Sequence, residues 1–127
     1  MSFPSIHLGD FAAERTVPLA LVPNDAASGE NVRAIHLYSG ESITKDEQNS
    51  WVFDVLIVNG TVTKVVAQRS LGDGLVAGVE KRLEFTNPIL VSRGATLSCR
   101  LSPRGLPPPL SGLSAIVEWG SLSTNRA

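Results

Sequence analysis

Alternation is plainest in Ser50-Trp-Val-Phe-Asp-Val-Leu-Ile-Val-Asn-Gly-Thr-Val-Thr-Lys-Val-Val-Ala-Gln-Arg69. Trp51, Phe53, Val55 and Ile57 form one apolar face at strand spacing, and Val52, Leu56 and Val58 leave only Asp54 polar on the other. A strand over Ser50–Val58 with both faces covered belongs in the middle of a packed pair of sheets. Asn59-Gly60 follows, a hairpin signal because both residues tolerate the positive φ of a type I′ turn. Thr61–Arg69 is then expected to return antiparallel to it.

The same period of two recurs on either side, punctuated by Gly, Pro, Asn and Ser. Thr16–Val22 reads as a strand that Pro18 confines to a sheet edge, since proline cannot donate to a ladder. Asn31–Ser39 puts Val32, Ala34, His36 and Tyr38 on one face and Arg33, Ile35 and Leu37 on the other. Lys81–Thr86, Ile89–Val91, Ala95–Leu101 and Leu113–Trp119 complete the strands, with Arg93-Gly94 as a tight turn. Leu71–Gly78 holds three glycines and reads as a flexible crossing loop. It lacks the glycine fingerprint and following helix of a nucleotide cradle. Ser39–Gln48 reads either as a helix of at most two turns or as a polar loop. The expected fold is all-β, an antiparallel β-sandwich or jelly roll of about eight strands. Residues 1–14 are expected to form an extended N-terminal arm, and residues 15–127 a single domain.

Composition narrows the function. The 127 residues are 43% hydrophobic and 18% charged, which is globular, and a single core of this size buries roughly two-thirds of the unfolded surface. Eleven basic against twelve acidic residues give a net charge of −1, without the basic footprint of a nucleic-acid binder. No apolar run approaches the ~20 residues that cross a bilayer, so no membrane is expected as a partner. The first residues lack the charged start and apolar stretch of a secretion signal, and the lone Cys99 agrees with synthesis in a reducing cytoplasm.

The residues that carry chemistry are scattered. His7 and His36 are distant in sequence, and Cys99 sits mid-strand between Leu97 and Leu101 as a small hydrophobe would. No nucleophile–base–carboxylate arrangement and no zinc or calcium spacing is visible, so no catalytic residue, metal or cofactor is expected. Asp54 and Glu118, each inside an apolar strand, read as the polar side of a sheet or as partners for Arg100 or Arg82.

Two segments are too apolar for their polar surroundings. The arm carries Phe3, Ile6, Leu8 and Phe11. The connection Ser102–Gly112 carries Arg104, Leu106, Pro107, Pro108, Pro109 and Leu110, and its triple proline is stiff enough to order at little entropic cost. Both are expected to meet another subunit or another protein, so that removing residues 1–14 would leave the fold and weaken attachment. The alternative for the loop is that it folds back over a sheet edge, and for the arm that its own domain covers it.

A small, cysteine-poor, nearly neutral β-domain with an apolar arm and a prolyl loop resembles the head-decoration, or cement, proteins of tailed bacteriophages. Val91-Ser-Arg-Gly-Ala-Thr-Leu-Ser-Cys-Arg-Leu101, with Ala115-Ile-Val-Glu-Trp119 at the end, is similar to the final strands of viral and phage jelly rolls. The resemblance implies a non-enzymatic virion protein made in the host cytoplasm, commonly a homotrimer. It would bind the major capsid protein on the outer capsid surface and stiffen the lattice. Two other classes stand beside it. A ligand- or carbohydrate-binding β-sandwich, as in a phage receptor-binding protein, would need exposed aromatics, whereas Trp51 and Trp119 lie in apolar strands. A small hydrolase or isomerase on a cupin-like barrel would need a histidine cluster.

Overall fold

A computed structural model of the chain describes residues 5–22 and 30–120. Among them are eight strands and no helix: β1 (Ser5–Phe11), β2 (Arg15–Leu21), β3 (Glu30–Tyr38), β4 (Ser50–Asn59), β5 (Val62–Ser70), β6 (Lys81–Val91), β7 (Thr96–Arg104) and β8 (Leu110–Gly120). They form two four-stranded antiparallel sheets, sheet I in the order β1-β8-β3-β6 and sheet II in the order β2-β7-β4-β5.

The order has a simple origin. β4 pairs with β5, β3 with β6, β2 with β7 and β1 with β8, so the chain is one long antiparallel hairpin folded about a turn near its middle. Rolling that ribbon up, and adding the β3–β8 and β4–β7 ladders, closes the two sheets. This is the jelly roll, an architecture that recurs in viral capsid domains, lectins and cupins. Its turn is Gly60-Thr61, flanked by the pair Asn59–Val62. The expected hairpin is present, shifted by one residue. Only Gly60 takes positive φ (65°), which places glycine at the first central position as in a II′ turn, not a I′ turn over Asn59-Gly60.

The core lies between the sheets. Trp51, Phe53 and Val55 of β4 face Ile35 and Leu37 of β3, with Leu97, Cys99 and Leu101 from β7 and Leu113, Ala115 and Val117 from β8. β4 is an inner strand, as its two apolar faces require, and β2 with Pro18 is an edge. Burial pushes the Cys99 thiol up to about 12, so it stays a neutral hydrophobe.

Residues 5–11 are not an arm. They form β1, the edge strand of sheet I, and bury Leu8 and Phe11 in the sandwich's own core. Gly9, at φ 92°, shifts the register, so the core-facing residues fall at Ile6, Leu8 and Phe11 instead of at every second position. Phe11 meets the Trp51 ring edge-on at 6.4 Å, and the Arg15 guanidinium covers it at 4.3 Å while donating to the Leu8 carbonyl at 2.7 Å. A division after residue 14 therefore cuts through the hydrophobic core. Phe3 lies outside the described residues.

Ser39–Gln48 is a loop. The Ser39 and Asp46 side chains bond backbone groups two or three residues away, and Ile43 forms a bridge to Leu75. Such local bonds compete with a helix and win here. The glycine-rich connection is packed down through Leu71 and Leu75, both buried. Lys81–Thr86 and Ile89–Val91 join into the single strand β6, in which Phe85–Pro88 bulge out opposite Arg33 of β3.

Candidate functional site

Surface chemistry divides by sheet. On the outer face of sheet I, β3 presents Ala34, His36 and Tyr38, β6 presents Arg82 and Glu84, and β8 presents Ile116 and Glu118. The His36 ring sits between two carboxylates: Nδ1 contacts Glu80, and Nε2 lies 2.8 Å from Glu118 Oε1. Arg82 donates to the same Glu118 oxygen at 2.8 Å, and the Tyr38 hydroxyl reaches Glu80 at 3.4 Å. His36 first and Arg82 second hold the Glu118 carboxyl below its ordinary value. This is a network of mutually satisfied polar and charged groups on the outer face of the sheet, and Glu84 at its margin also lines a cavity of about 510 Å³ with Arg33, Phe85, Thr86 and Pro88.

Sheet II is different outside. Leu56 of β4 lies beside Ser98 of β7 and Val65 of β5, with Pro18 of β2 beyond Ser98. The adjoining row runs Leu21, Thr96, Val58 and Thr63. Asp54, nearly fully buried, is held by Arg100 (2.9 and 3.1 Å) and by the Gln68 amide (2.8 Å), so its charge is neutralised within the face. Asp54 and Glu118 thus have the partners their sequence setting implies, Arg100 and Arg82. The resulting surface is aliphatic and hydroxylic, with almost no outward charge.

The prolyl connection stands at one end of the sandwich. Its base is fixed: Trp51 Nε1 donates to the Pro108 carbonyl at 2.8 Å, the Leu106 amide donates to Asn49 Oδ1 at 2.9 Å, and Leu110 is buried. Its tip is open. Leu106 is 91% exposed, Arg104, Pro108 and Pro109 are exposed, and Pro107 is half-buried. Of the residues expected to meet a partner, Leu8, Phe11 and Leu110 are covered by their own sandwich, and Ile6 packs half-buried against it. Arg104, Leu106 and Pro107–Pro109 remain on the surface.

No family model matches the chain. No curated protein matches it either. Among solved structures, one of the Gx strain of infectious bursal disease virus superposes with a TM-score of 0.39 and 15% identity, covering 90% of this chain and 31% of that one. Dimeric latent PorU from Porphyromonas gingivalis superposes with a TM-score of 0.40 and 15% identity, covering 96% of this chain and 13% of that one. The chain therefore spans less than a third of either matched chain. The jelly-roll assignment stands on strand order.

The sheet I network is the feature that sequence reading missed. The shared face of His36 and Tyr38 was visible in the alternation, and Glu118 with Arg82 was a foreseeable pair. Glu80 has no such signal, because its position depends on how the connection from β5 crosses to sheet I. Of the described aromatics, Trp51, Phe11, Phe53 and Phe85 are buried and Trp119 packs against the core, while Tyr38 is half-buried on the outer face of sheet I. No group of three or more His, Cys, Asp or Glu among the described residues is placed to hold a metal ion.

Proposed function

We propose that the chain is a non-enzymatic structural module of a virion, attached to the outer face of a capsid and stiffening its lattice. The observation that carries the reading is the prolyl loop. A segment anchored at Asn49, Trp51 and Leu110 still holds the side chain of Leu106 out in solvent. Holding a large apolar group rigidly in water has no benefit for the lone fold. It removes the ordering cost of contact, which otherwise consumes much of the energy gained by burial. The aliphatic and hydroxylic outer face of sheet II, whose buried Asp54 is paired with Arg100, extends that contact area. Use of the jelly roll in capsid domains supports the setting, and repetition over a symmetric lattice multiplies weak contacts, the more so if the module is a homotrimer.

The test is whether a major capsid protein is encoded beside the chain, and whether the chain sediments with capsids assembled from that protein. Leu106→Asp should leave the melting temperature within about 2 °C, since an exposed side chain contributes little to folding. It should lower the bound fraction at least fivefold. Absence of the wild-type chain from the capsid pellet would refute the reading.

A further inference from the structure

Each sheet of an open sandwich has two edges, and unpaired edges are sites of association unless they are blunted. Three of the four edges are interrupted by bulges or proline here, and the fourth is guarded only by its inward-facing Lys64 and Arg69. β1 is broken by bulges at either side of Gly9, β2 carries Pro18 and a bulge after it, and β6 carries the Phe85–Pro88 bulge with Pro88. The fourth, β5, has neither proline nor glycine, and its ladder is continuous from Val62 to Val65 before a single bulge at Val66. Val62 and Val65 are 65% and 46% exposed. Because Asn59 and Val62 flank a two-residue turn as a hydrogen-bonded pair, alternation turns the N–H and C=O of Thr63 and Val65 away from β4, toward the open side.

Beside this edge the two sheets part. A groove of about 240 Å³ runs between β5 and the β6 bulge, lined by Val66, Ala67, Arg69, Phe85, Thr86 and Ile89. Lys64, Ala67 and Arg69 stand opposite the core-facing residues Ile57, Val55 and Phe53, so they share the groove side of β5. Lys64 has no carboxylate partner among the described residues. Arg69 spends its guanidinium on the Gln68 and Glu84 carbonyls and on the Phe85 ring, 5.3 Å away. The inward side of β5 thus reads cation, apolar, cation at successive ladder positions, with Ala67 and Arg69 lining the groove and Lys64 just beyond it.

We propose that β5 is a docking edge for an extended segment of another protein. That segment adds as a fifth strand to sheet II and carries acidic, apolar and acidic side chains at positions i, i+2 and i+4. Main-chain bonds to Thr63 and Val65 supply affinity, and the groove selects the alternate side chains. A second copy of this chain is a poor occupant, because pairing β5 with itself lines up the lysine and arginine of both copies on one ribbon, and like charges there are destabilising. This edge is separate from the prolyl loop, and the proposal stands or falls without it.

A nine-residue peptide, Thr-Ser-Glu-Thr-Val-Thr-Glu-Ser-Thr, blocked at both ends and fluorescently labelled, serves as the probe. Its Kd by anisotropy should lie below about 1 mM, and the amides of Thr63 and Val65 should gain protection from hydrogen exchange in its presence. N-methylation of the three central amides should abolish binding. Thr63→Pro removes an outward N–H and no ladder bond, and should weaken binding about tenfold at unchanged circular dichroism. Lys64→Glu should weaken it about fivefold and favour the same peptide with lysine in place of glutamate. Leu106→Asp should leave it unchanged, which separates this site from the capsid reading. Equal binding of the N-methylated peptide, no binding of the probe at 1 mM, or a chain dimer that Thr63→Pro dissolves would each overturn the proposal. If Thr63→Pro fails to fold, the N-methylated peptide decides alone.

Discussion

The outer faces of the two sheets belong to the same roll and share its strand geometry, yet they solve opposite problems. Sheet I spreads His36, Glu80, Arg82, Glu84 and Glu118 over its surface, where each charge meets another and water screens them all. Sheet II holds one ion pair, Asp54–Arg100, inside an aliphatic face, where the Asp54 side chain is 5% exposed. An exposed ion pair contributes little to stability, while a buried carboxylate deprived of its partner is costly. The charged face is built to stay wet. The other face has its buried charge cancelled and keeps an exposed cation, Arg104, only at its end, so most of it can lose its water against a partner without leaving an ion stranded.

That contrast presupposes that both sheets are complete within one chain, and truncation tests it most severely. Removing residues 1–14 strips sheet I of β1 and the core of Leu8 and Phe11, and it bares the edge of β8. Each buried Leu or Phe is worth roughly 2–5 kcal/mol, so the loss approaches the whole stability of a domain this size. The truncated chain is expected to show no cooperative melting transition. A folded truncation product would mean that β1 is dispensable after all. Next in size is the ion pair of sheet II. Arg100→Ala leaves Asp54 without its cation, and because Arg100 is itself a third exposed, the cost falls at about 2–3 kcal/mol, a drop near 10 °C in melting temperature. Arg82→Ala on sheet I should shift it far less. Equal shifts in a urea titration of the two variants would erase the distinction between the faces.

How much of this was readable beforehand depends on whether a strand keeps its period. β4 alternates without a break, and its place at the centre of sheet II follows from that. Pro18 announces an edge because of what proline cannot do. Where a bulge intervenes, the pattern misleads. At Arg33 the extra residue turns Val32 into the core, whereas unbroken alternation from Ala34, His36 and Tyr38 puts it on the outer face. Gly9 disguised β1 as an apolar arm, and Phe85–Pro88 made one strand look like two. These last two errors cancelled, so the count of eight was right while the N-terminal element was misjudged. Apolar residues at irregular spacing carry two meanings, a surface seeking a partner or a bulged strand, and only the β8 ladder separates them. The prolyl loop is ambiguous in the same way and proves to be both: its base covers the end of the sandwich through Leu110, and its tip does not.

The smallest expected effect refines the sheet I side of the contrast through pH. Glu118 is held below its ordinary value of 4.5 by hydrogen bonds from His36 and then Arg82. A carboxylate whose folded value is depressed binds its proton more readily in the unfolded chain. Its contribution is therefore fully present above the unfolded value and is lost as pH falls from 4.5 through the lower folded value. Glu118→Gln removes that dependence, so the variant should differ most from wild type near neutral pH and converge with it in acid. Since Glu118 sits on an open face, the gap near neutrality should be only a few degrees in melting temperature. The comparison is a pair of melting curves at pH 7 and at a pH well below 4.5. A gap that widens in acid would reverse the sign and show that the network strains the fold instead of supporting it.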